Sequence, residues 1–357
     1  MEHPKRILVT PLDWGLGHAT RCIPVINALL QQKHTVLIAG SGASLQLLRY
    51  EFPELQFFEL PAYNPQYGIN TSMVFTMARQ LPKFINAITA EHKALEALVE
   101  KHSIDIVISD NRYGCYSNKA TSYIITHQLN ILMPAAWRWM EEMVNTFNHR
   151  LLKKFKAVWV PAHVELDGKW FPNKLVAGKE KLNAVPIGFL SRFEKTDLPV
   201  KYDVVAICSG PEPQRTEFEN MLKKQLEYSG LKTILISGKP HGKADNILED
   251  AQHTVVSHLT AKQLQHVIAQ SKIVVSRSGY STVMDMAAMQ HKAIFIPTPG
   301  QTEQEYLADE LKRLNIAYSV NADSFDLLKA IKKAEKYKGF KNFKPHSNWL
   351  QKAIEQL

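Results

Sequence analysis

Along the chain, short apolar runs alternate with longer segments whose apolar residues recur every three or four positions. Ile7-Leu8-Val9-Thr10 predicts a first strand that runs into a glycine-rich turn, and Ile23, Ile26 and Leu30 then share one face of a predicted helix. Thr35–Ala39, closed by Gly40-Ser41-Gly42, predicts a second strand, with further strands at Ile104–Ile108, Tyr123–Thr126 and Ala157–Val160. Helices are predicted between them at about 72–100 and 138–156. Near residue 190 the rhythm stops in SRFEKTDLPVKY, a charged stretch with proline and no periodicity, which reads as a linker. It then restarts with strands at Asp203–Cys208, Thr233–Ser237, Ile273–Ser276 and Ala293–Pro297. The helices among these are predicted at 214–228, 260–270, 281–290 and 303–314. Apolar strands alternating with helices predict an α/β chain whose parallel sheets are covered on both faces. Two such runs about a linker predict two Rossmann-like domains, 1–190 and 203–337, facing a cleft. In the remaining segment, 338–357, Trp349, Leu350, Ile354 and Leu357 stand at helical spacing.

Composition adds boundaries to this picture. A length of 357 residues exceeds what one core usually serves, and 45% hydrophobic with 22% charged residues is ordinary for a globular chain. Cys22, Cys115 and Cys208 match neither a disulfide framework nor a zinc spacing and are expected as small buried hydrophobes. No apolar stretch of signal-peptide length precedes Asp13, and no run reaches the ~18 apolar residues of a membrane span, which predicts a cytoplasmic location. The net charge of +9 is shared by both halves rather than gathered into a stripe, which argues against a nucleic-acid partner. A mildly basic surface suits an anionic small molecule or an anionic membrane surface, such as the inner face of the membrane.

The most informative segment is SRSGYSTVMDMAA at 276–288. A strand feeding a loop of hydroxyl and glycine residues, followed by a helix, offers unpaired amides and partial positive charge to a phosphate. Gly279 permits close backbone approach, and Ser281 or Thr282 would cap the helix start. Asp285, one turn in, would either accept hydrogen bonds from a ribose hydroxyl pair or complement the helix dipole. Directly after the last predicted strand comes PTPGQTEQEYLADEL, which sets Gln301, Gln304 and Glu305 just beyond the C-terminal end of a strand, where open α/β sheets bind ligands. These amides and carboxylates suit the hydroxyls of a sugar. They would equally form the polar first turn of a helix.

Taken together, Ser276, Arg277, Ser278, Gly279, Thr282, Val283, Asp285, Pro297 and the pair Gln304-Glu305 resemble the C-terminal domain of glycosyltransferase family 28. That family includes the N-acetylglucosaminyltransferase of peptidoglycan-precursor synthesis and the galactolipid synthases. The resemblance implies a GT-B fold, with Asp285 on the ribose, Ser278 and Gly279 facing the diphosphate, and Gln304 and Glu305 on the donor sugar. Two departures are Asp285 where the family more often has Glu, and Glu305 in place of a second Gln; the latter leaves the sugar open. Ser209 and Gly210, in the loop CSGPEP after the first strand of the second domain, would complete the phosphate cradle, with Gly238 a weaker candidate. By resemblance His258-Leu259 marks the backbone that recognises the base, at Leu259, and the final helix crosses back to the N-terminal domain.

In the N-terminal half, Gly15, Gly17 and His18 resemble the family's first-loop Gly-Gly-His, with Pro24 shortly after. A histidine at a helix start serves as a base near neutral pH. Asp110, in SDNRYG just past a strand, is the second candidate base or else a turn residue, and His127 at another strand end either lines the acceptor side or is structural. Trp137, Trp139, Lys153-Lys154-Phe155-Lys156 and Trp159 form an aromatic and basic cluster that meets a membrane in relatives acting on lipid acceptors, or else packs into the core. The resemblance thus implies an inverting glycosyltransferase that moves a sugar, from a UDP-sugar in the family's usual choice, to a hydroxyl acceptor, lipid-linked in some relatives. It implies no cofactor and no metal, and no Asp-x-Asp motif follows a strand. Two other readings are a nucleotide-sugar epimerase or hydrolase of the same fold, and a non-catalytic sugar-nucleotide-binding protein.

Overall fold

The structure, a computed structural model, describes residues 4–63, 80–164, 170–239, 252–341 and 347–357. The chain divides into two compact units, Met1–Leu190 with His346–Leu357, and Ser191–Pro345.

In the first unit the strands are β1 (Arg6–Pro11), β2 (Thr35–Gly40), β3 (Gln56–Glu59), β4 (Ile106–Asp110), β5 (Thr121–Ile125), β6 (Ala157–Val160) and, after the short hairpin β7 (His163–Val164) and β8 (Trp170–Phe171), β9 (Ala184–Pro186). Seven of them form one sheet in the order β3-β2-β1-β4-β5-β6-β9, parallel throughout. β4 is buried at every position and β1 and β2 at all but their first residue, as expected of strands with helices on both faces. The helices are Leu16–Gln31, Gly42–Glu51, Leu81–His102 and Glu141–Leu152, and the final helix Ser347–Glu355 packs on Leu16–Gln31 and β9.

The second unit repeats the plan. β10 (Tyr202–Ile207), β11 (Thr233–Ile236), β12 (His253–Val256), β13 (Ser271–Ser276), β14 (Ala293–Phe295) and β15 (Tyr318–Ser319) form a parallel sheet in the order β12-β11-β10-β13-β14-β15. Its core gathers Val204, Phe218, Leu222, Leu235, Val275 and Ile294. The helices are Gln214–Glu227, Ala261–Ala269, Tyr280–Ala288, Thr302–Arg313 and Leu327–Ala334. Numbered within its own unit, the second sheet has the doubly wound order 3-2-1-4-5-6 and the first has the same order with β9 added at its far edge, so the direction of winding in each reverses between the first and fourth strands. That switch point lies between β1 and β4 in the first unit and between β10 and β13 in the second.

Several elements differ from expectation. The predicted helix at 72–100 is described from Leu81 onward, and 72–79 fall outside the described residues. The predicted helix at 138–156 starts as a 3-10 turn, Ala135–Met140, and closes at Leu152. The strand expected from Ile104 begins at Ile106; Asp105 just before it already bonds both neighbouring strands through its backbone, and its carboxylate accepts from the Arg6 amide at 2.7 Å. β3 and β12 escape the periodicity because each is a four-residue edge strand with mixed burial.

Candidate functional site

At the switch point of the first unit, β1 runs into a turn whose last residue, Gly15, caps the helix Leu16–Gln31 at φ 92°, a left-handed value that favours glycine. No side chain caps this helix and no acid stands in its first turn. Its third residue is His18. One turn on, Arg21 and Cys22 lie below it, and Asp110 arrives as the last residue of β4. The Asp110 carboxylate is fully buried and completely engaged. Arg21 donates through Nε to Oδ2 at 2.5 Å and through its terminal nitrogen to Oδ1, and the Cys22 thiol lies 3.6 Å from Oδ2. His18 Nδ1 stands 3.2 Å from Oδ1 and 2.8 Å from an Arg21 terminal nitrogen. His127, buried past the end of β5, brings its Nδ1 to 3.4 Å from Arg21.

The electrostatics follow from these contacts. Burial pushes the Asp110 carboxyl up, but the Arg21 guanidinium and His18 outweigh it and hold the group at about 2. For His18, burial and then the Arg21 charge push the imidazole below its ordinary value, with Asp110 opposing. His18 is therefore neutral near pH 7, and its side chain keeps 16% of its surface exposed while Asp110 keeps none. Of the two candidate bases, only His18 reaches solvent.

A second buried network carries this loop. Arg112 and Glu91, both fully buried, form an ion pair. Arg112 also donates to the Pro11 carbonyl and to Ser41 Oγ, while Glu91 accepts from Tyr63 Oη at 2.7 Å and from the Gly114 amide at 2.9 Å. The segment SDNRYG thus splits by role: Asp110 faces the site, and Arg112 and Gly114 bind its support.

In the second unit, β13 leads through Arg277-Ser278-Gly279 into the helix Tyr280–Ala288, which has Gly279 as N-cap, no side-chain cap and no acid in its first turn. Ser281 and Thr282 stand in that turn, half-buried. Ser278 is buried and spends its hydroxyl on the Gln304 carbonyl at 2.7 Å. Asp285 accepts from Ser191 Oγ at 2.6 Å, and burial raises its carboxyl to about 6 against the opposing Arg192 charge and that hydrogen bond. Arg277 is buried, stacks 3.9 Å over Phe218 and donates to the Ile296 and Pro297 carbonyls, tying the ends of β13 and β14 together.

Gln301 is the N-cap residue of the helix Thr302–Arg313. Gln304 folds back, accepting from the Thr298 amide at 2.9 Å and donating to Gln301 Oε1, and Glu305 Oε1 accepts from the Gly300 amide at 2.9 Å. These side chains shape the loop 298–301 from within. Ser209 and Gly210 are exposed after β10, but the helix that follows is not an open anion site. Glu212 places its own carboxylate there, 3.2 Å from the Thr216 amide and 2.8 Å from Arg215 Nε. Gly238, at φ 69°, lies so close to Cys208 that a Cβ would come 2.3 Å from its carbonyl oxygen, which accounts for glycine by packing. Leu259 is buried beside the capping box in which Thr260 and Gln263 start the next helix.

Sequence reasoning missed Arg21, Glu212 and the Glu91–Arg112 pair. For Arg21 a signal existed, since three residues from His18 place it on the same helix face.

Among the described residues, no helix is long and apolar enough to cross a membrane. Phe155 and Trp159 of the aromatic cluster pack into the core. Trp139, Met143 and Phe147 instead stand exposed at 76%, 60% and 43%, with Glu142, Thr146 and Arg150 beside them.

Residues 217–356 match the model of the glycosyltransferase family 28 C-terminal domain, and residues 5–133 match the model of glycosyl transferase family 1. No curated protein matches the sequence. Among solved structures, the glycotransferase of kitacinnamycin is similar over 100% of this chain and 98% of its own, at 15% identity and a TM-score of 0.65. MurG of Acinetobacter baumannii is similar over 99% of each chain, at 14% identity and a TM-score of 0.58. Arabidopsis thaliana UGT89C1, solved with UDP-L-rhamnose, is similar over 99% of this chain and 94% of its own, at 14% identity and a TM-score of 0.60. Two doubly wound parallel units with these neighbours define the GT-B fold. The second unit thus resembles the family 28 C-terminal domain, and the chain has the fold of GT-B glycosyltransferases.

Proposed function

We propose that the protein transfers a sugar from a nucleoside diphosphate sugar, with uridine as the base, to an acceptor hydroxyl with inversion at the anomeric carbon and without a metal ion or cofactor. The observation that carries this reading is His18, neutral and partly exposed at an uncapped helix start, with its Nδ1 against a buried carboxylate. The acceptor oxygen attacks the anomeric carbon and its proton passes to His18 Nε2. The bond from that carbon to the diphosphate oxygen breaks, and the diphosphate leaves with the electron pair. Asp110 offsets the imidazolium charge formed at that moment. The uncapped start of the helix Tyr280–Ala288 supplies amides and partial positive charge to the leaving diphosphate, a task a metal performs in other transferases. Asp285 accepts the ribose hydroxyls, exchanging Ser191 for them. Gln301, Gln304 and Glu305 hold the loop that meets the donor sugar.

For the acceptor we favour a lipid-linked hydroxyl at an anionic membrane surface. The support is the exposed row Trp139, Met143 and Phe147 at helical spacing, with Arg150 and Glu142 beside it and exposed Arg138 and Lys153 near it in sequence. Titration calorimetry with uridine, thymidine, guanosine and adenosine diphosphates tests the donor half: UDP should bind best and Asp285→Ala should abolish it. Absence of binding by any nucleotide would remove the donor reading. Incubation with a UDP-sugar and no acceptor should leave the sugar unchanged, whereas an epimer or free sugar would favour an epimerase or hydrolase.

A further inference from the structure

We propose that Arg21 is a positioning residue of the transfer reaction, which decides which ring nitrogen of His18 carries the proton. This rests on the reading of His18 as the group that accepts the acceptor's proton.

The His18 ring meets Arg21 from its own helix and Asp110 from the end of β4; His127 past β5 contacts Arg21, and Cys22 contacts Asp110. Nδ1 has two neighbours with opposite demands. The Arg21 terminal nitrogen at 2.8 Å can only donate, and Asp110 Oδ1 at 3.2 Å can only accept. A neutral imidazole satisfies one of them. With Arg21 donating, Nδ1 offers its lone pair and the proton sits on Nε2. With Asp110 accepting, the proton sits on Nδ1 and the Nε2 lone pair is free to take a proton from an acceptor hydroxyl. The shorter contact belongs to Arg21, so the resting ring carries its proton on Nε2. That nitrogen also donates to Asp110 Oδ1, so its withdrawal by a fraction of an ångström frees Nδ1 and Oδ1 together to meet each other, while the second arm, Nε to Oδ2 at 2.5 Å, keeps the carboxylate anchored. Arg21 therefore holds the base in its resting tautomer and Asp110 clear of the acceptor, and its charge keeps the ring neutral. The proton that changes nitrogen exchanges with water, so the step needs no further reactant.

Two-bond ¹⁵N–¹H correlation spectra of the labelled full-length protein, recorded above the His18 titration and assigned with His18→Asn, test this. Wild type should give the Nε2–H pattern, and Arg21→Met should give Nδ1–H bonded to Asp110. In Arg21→Met the acid limb of kcat/KM should also move to higher pH, because a cation beside the ring is lost; a purely structural role would lower activity without moving that limb. Arg21→Gln serves the same comparison if the methionine variant does not fold. An Nδ1–H pattern in wild type overturns the proposal with no variant needed, as does an unchanged tautomer in either folded variant. Full transfer activity in His18→Asn would instead overturn the reading of His18 as the base, leaving the tautomer result to stand by itself.

Discussion

His18 and Asp110 both stand at strand ends of one sheet, yet burial separates what each can do. A fully buried carboxylate with two arginine nitrogens on it holds its charge down to about pH 2 and reaches no ligand. The neighbouring imidazole is pushed below its ordinary value by burial and Arg21, so it is uncharged near pH 7 and available as a base. His18→Asn should therefore lower kcat by roughly 10²–10⁴-fold, the usual size of a general base contribution, while nucleotide affinity by calorimetry stays at the wild-type value. A tenfold or smaller loss would assign the proton transfer elsewhere. Asp285 has the opposite balance: burial raises its carboxyl from 3.8 to about 6. The ionised form, which on the proposed reading accepts ribose hydroxyls, exists above that value, so UDP affinity should fall as the pH drops from 7 to 5. Asp285→Asn should bind weakly with little pH dependence across that range. For stability the sign reverses. The folded state holds this proton more tightly than the unfolded chain, so the group favours folding below about 4, and that contribution is lost as pH rises through about 6. Equal pH slopes of UDP binding in wild type and Asp285→Asn would remove Asp285 from the site.

At the scale of elements, the loops at the switch points depend on what lies under them. The Glu91–Arg112 pair links the helix Leu81–His102 to the segments carrying Pro11, Ser41 and Gly114. Removing one partner of a fully buried pair leaves an uncompensated charge, so Arg112→Met or Glu91→Gln should cost about 3–5 kcal/mol, read as a lower urea midpoint at unchanged slope. A loss under 1 kcal/mol would mean that the loop has another support. The same elements explain what could be read from sequence. β1, β4, β10 and β13 were legible because strands buried on both faces are uninterrupted apolar runs, and the glycines and polar residues at their ends mark the loops. His18, Asp110 and Asp285 were legible by position, standing next to such ends. Arg21 offered only its three-residue spacing from His18, because a helical arginine ordinarily reads as a solvated face, and it is the arrival of Asp110 from 89 residues away that gives it a buried partner. Glu212 and Glu219 are ordinary surface acids in the sequence. In the fold Glu212 caps a helix and Glu219 binds Arg215, Lys223 and Lys239, because β11 delivers Ser237 and Lys239 beside that helix.

For the whole molecule, charge and apolar surface have to be weighed together. A net +9 spread over both halves attracts any anionic surface weakly, within a screening length of about 8 Å at physiological salt. It gives no orientation by itself. The row Trp139, Met143 and Phe147 would, because three large exposed apolar side chains four residues apart could insert together, and each nearby Lys or Arg would add about 1 kcal/mol at an anionic leaflet. Vesicles of phosphatidylglycerol and phosphatidylcholine should therefore co-sediment the protein at 50 mM salt, less at 500 mM, and pure phosphatidylcholine should retain little. A variant with Trp139→Ser, Met143→Ser and Phe147→Ser should lose most of this binding with its unfolding midpoint and UDP affinity intact, since the three side chains are exposed in the fold. Binding that survives in this variant but vanishes with salt would come from diffuse charge, and the acceptor would then have no reason to be a lipid.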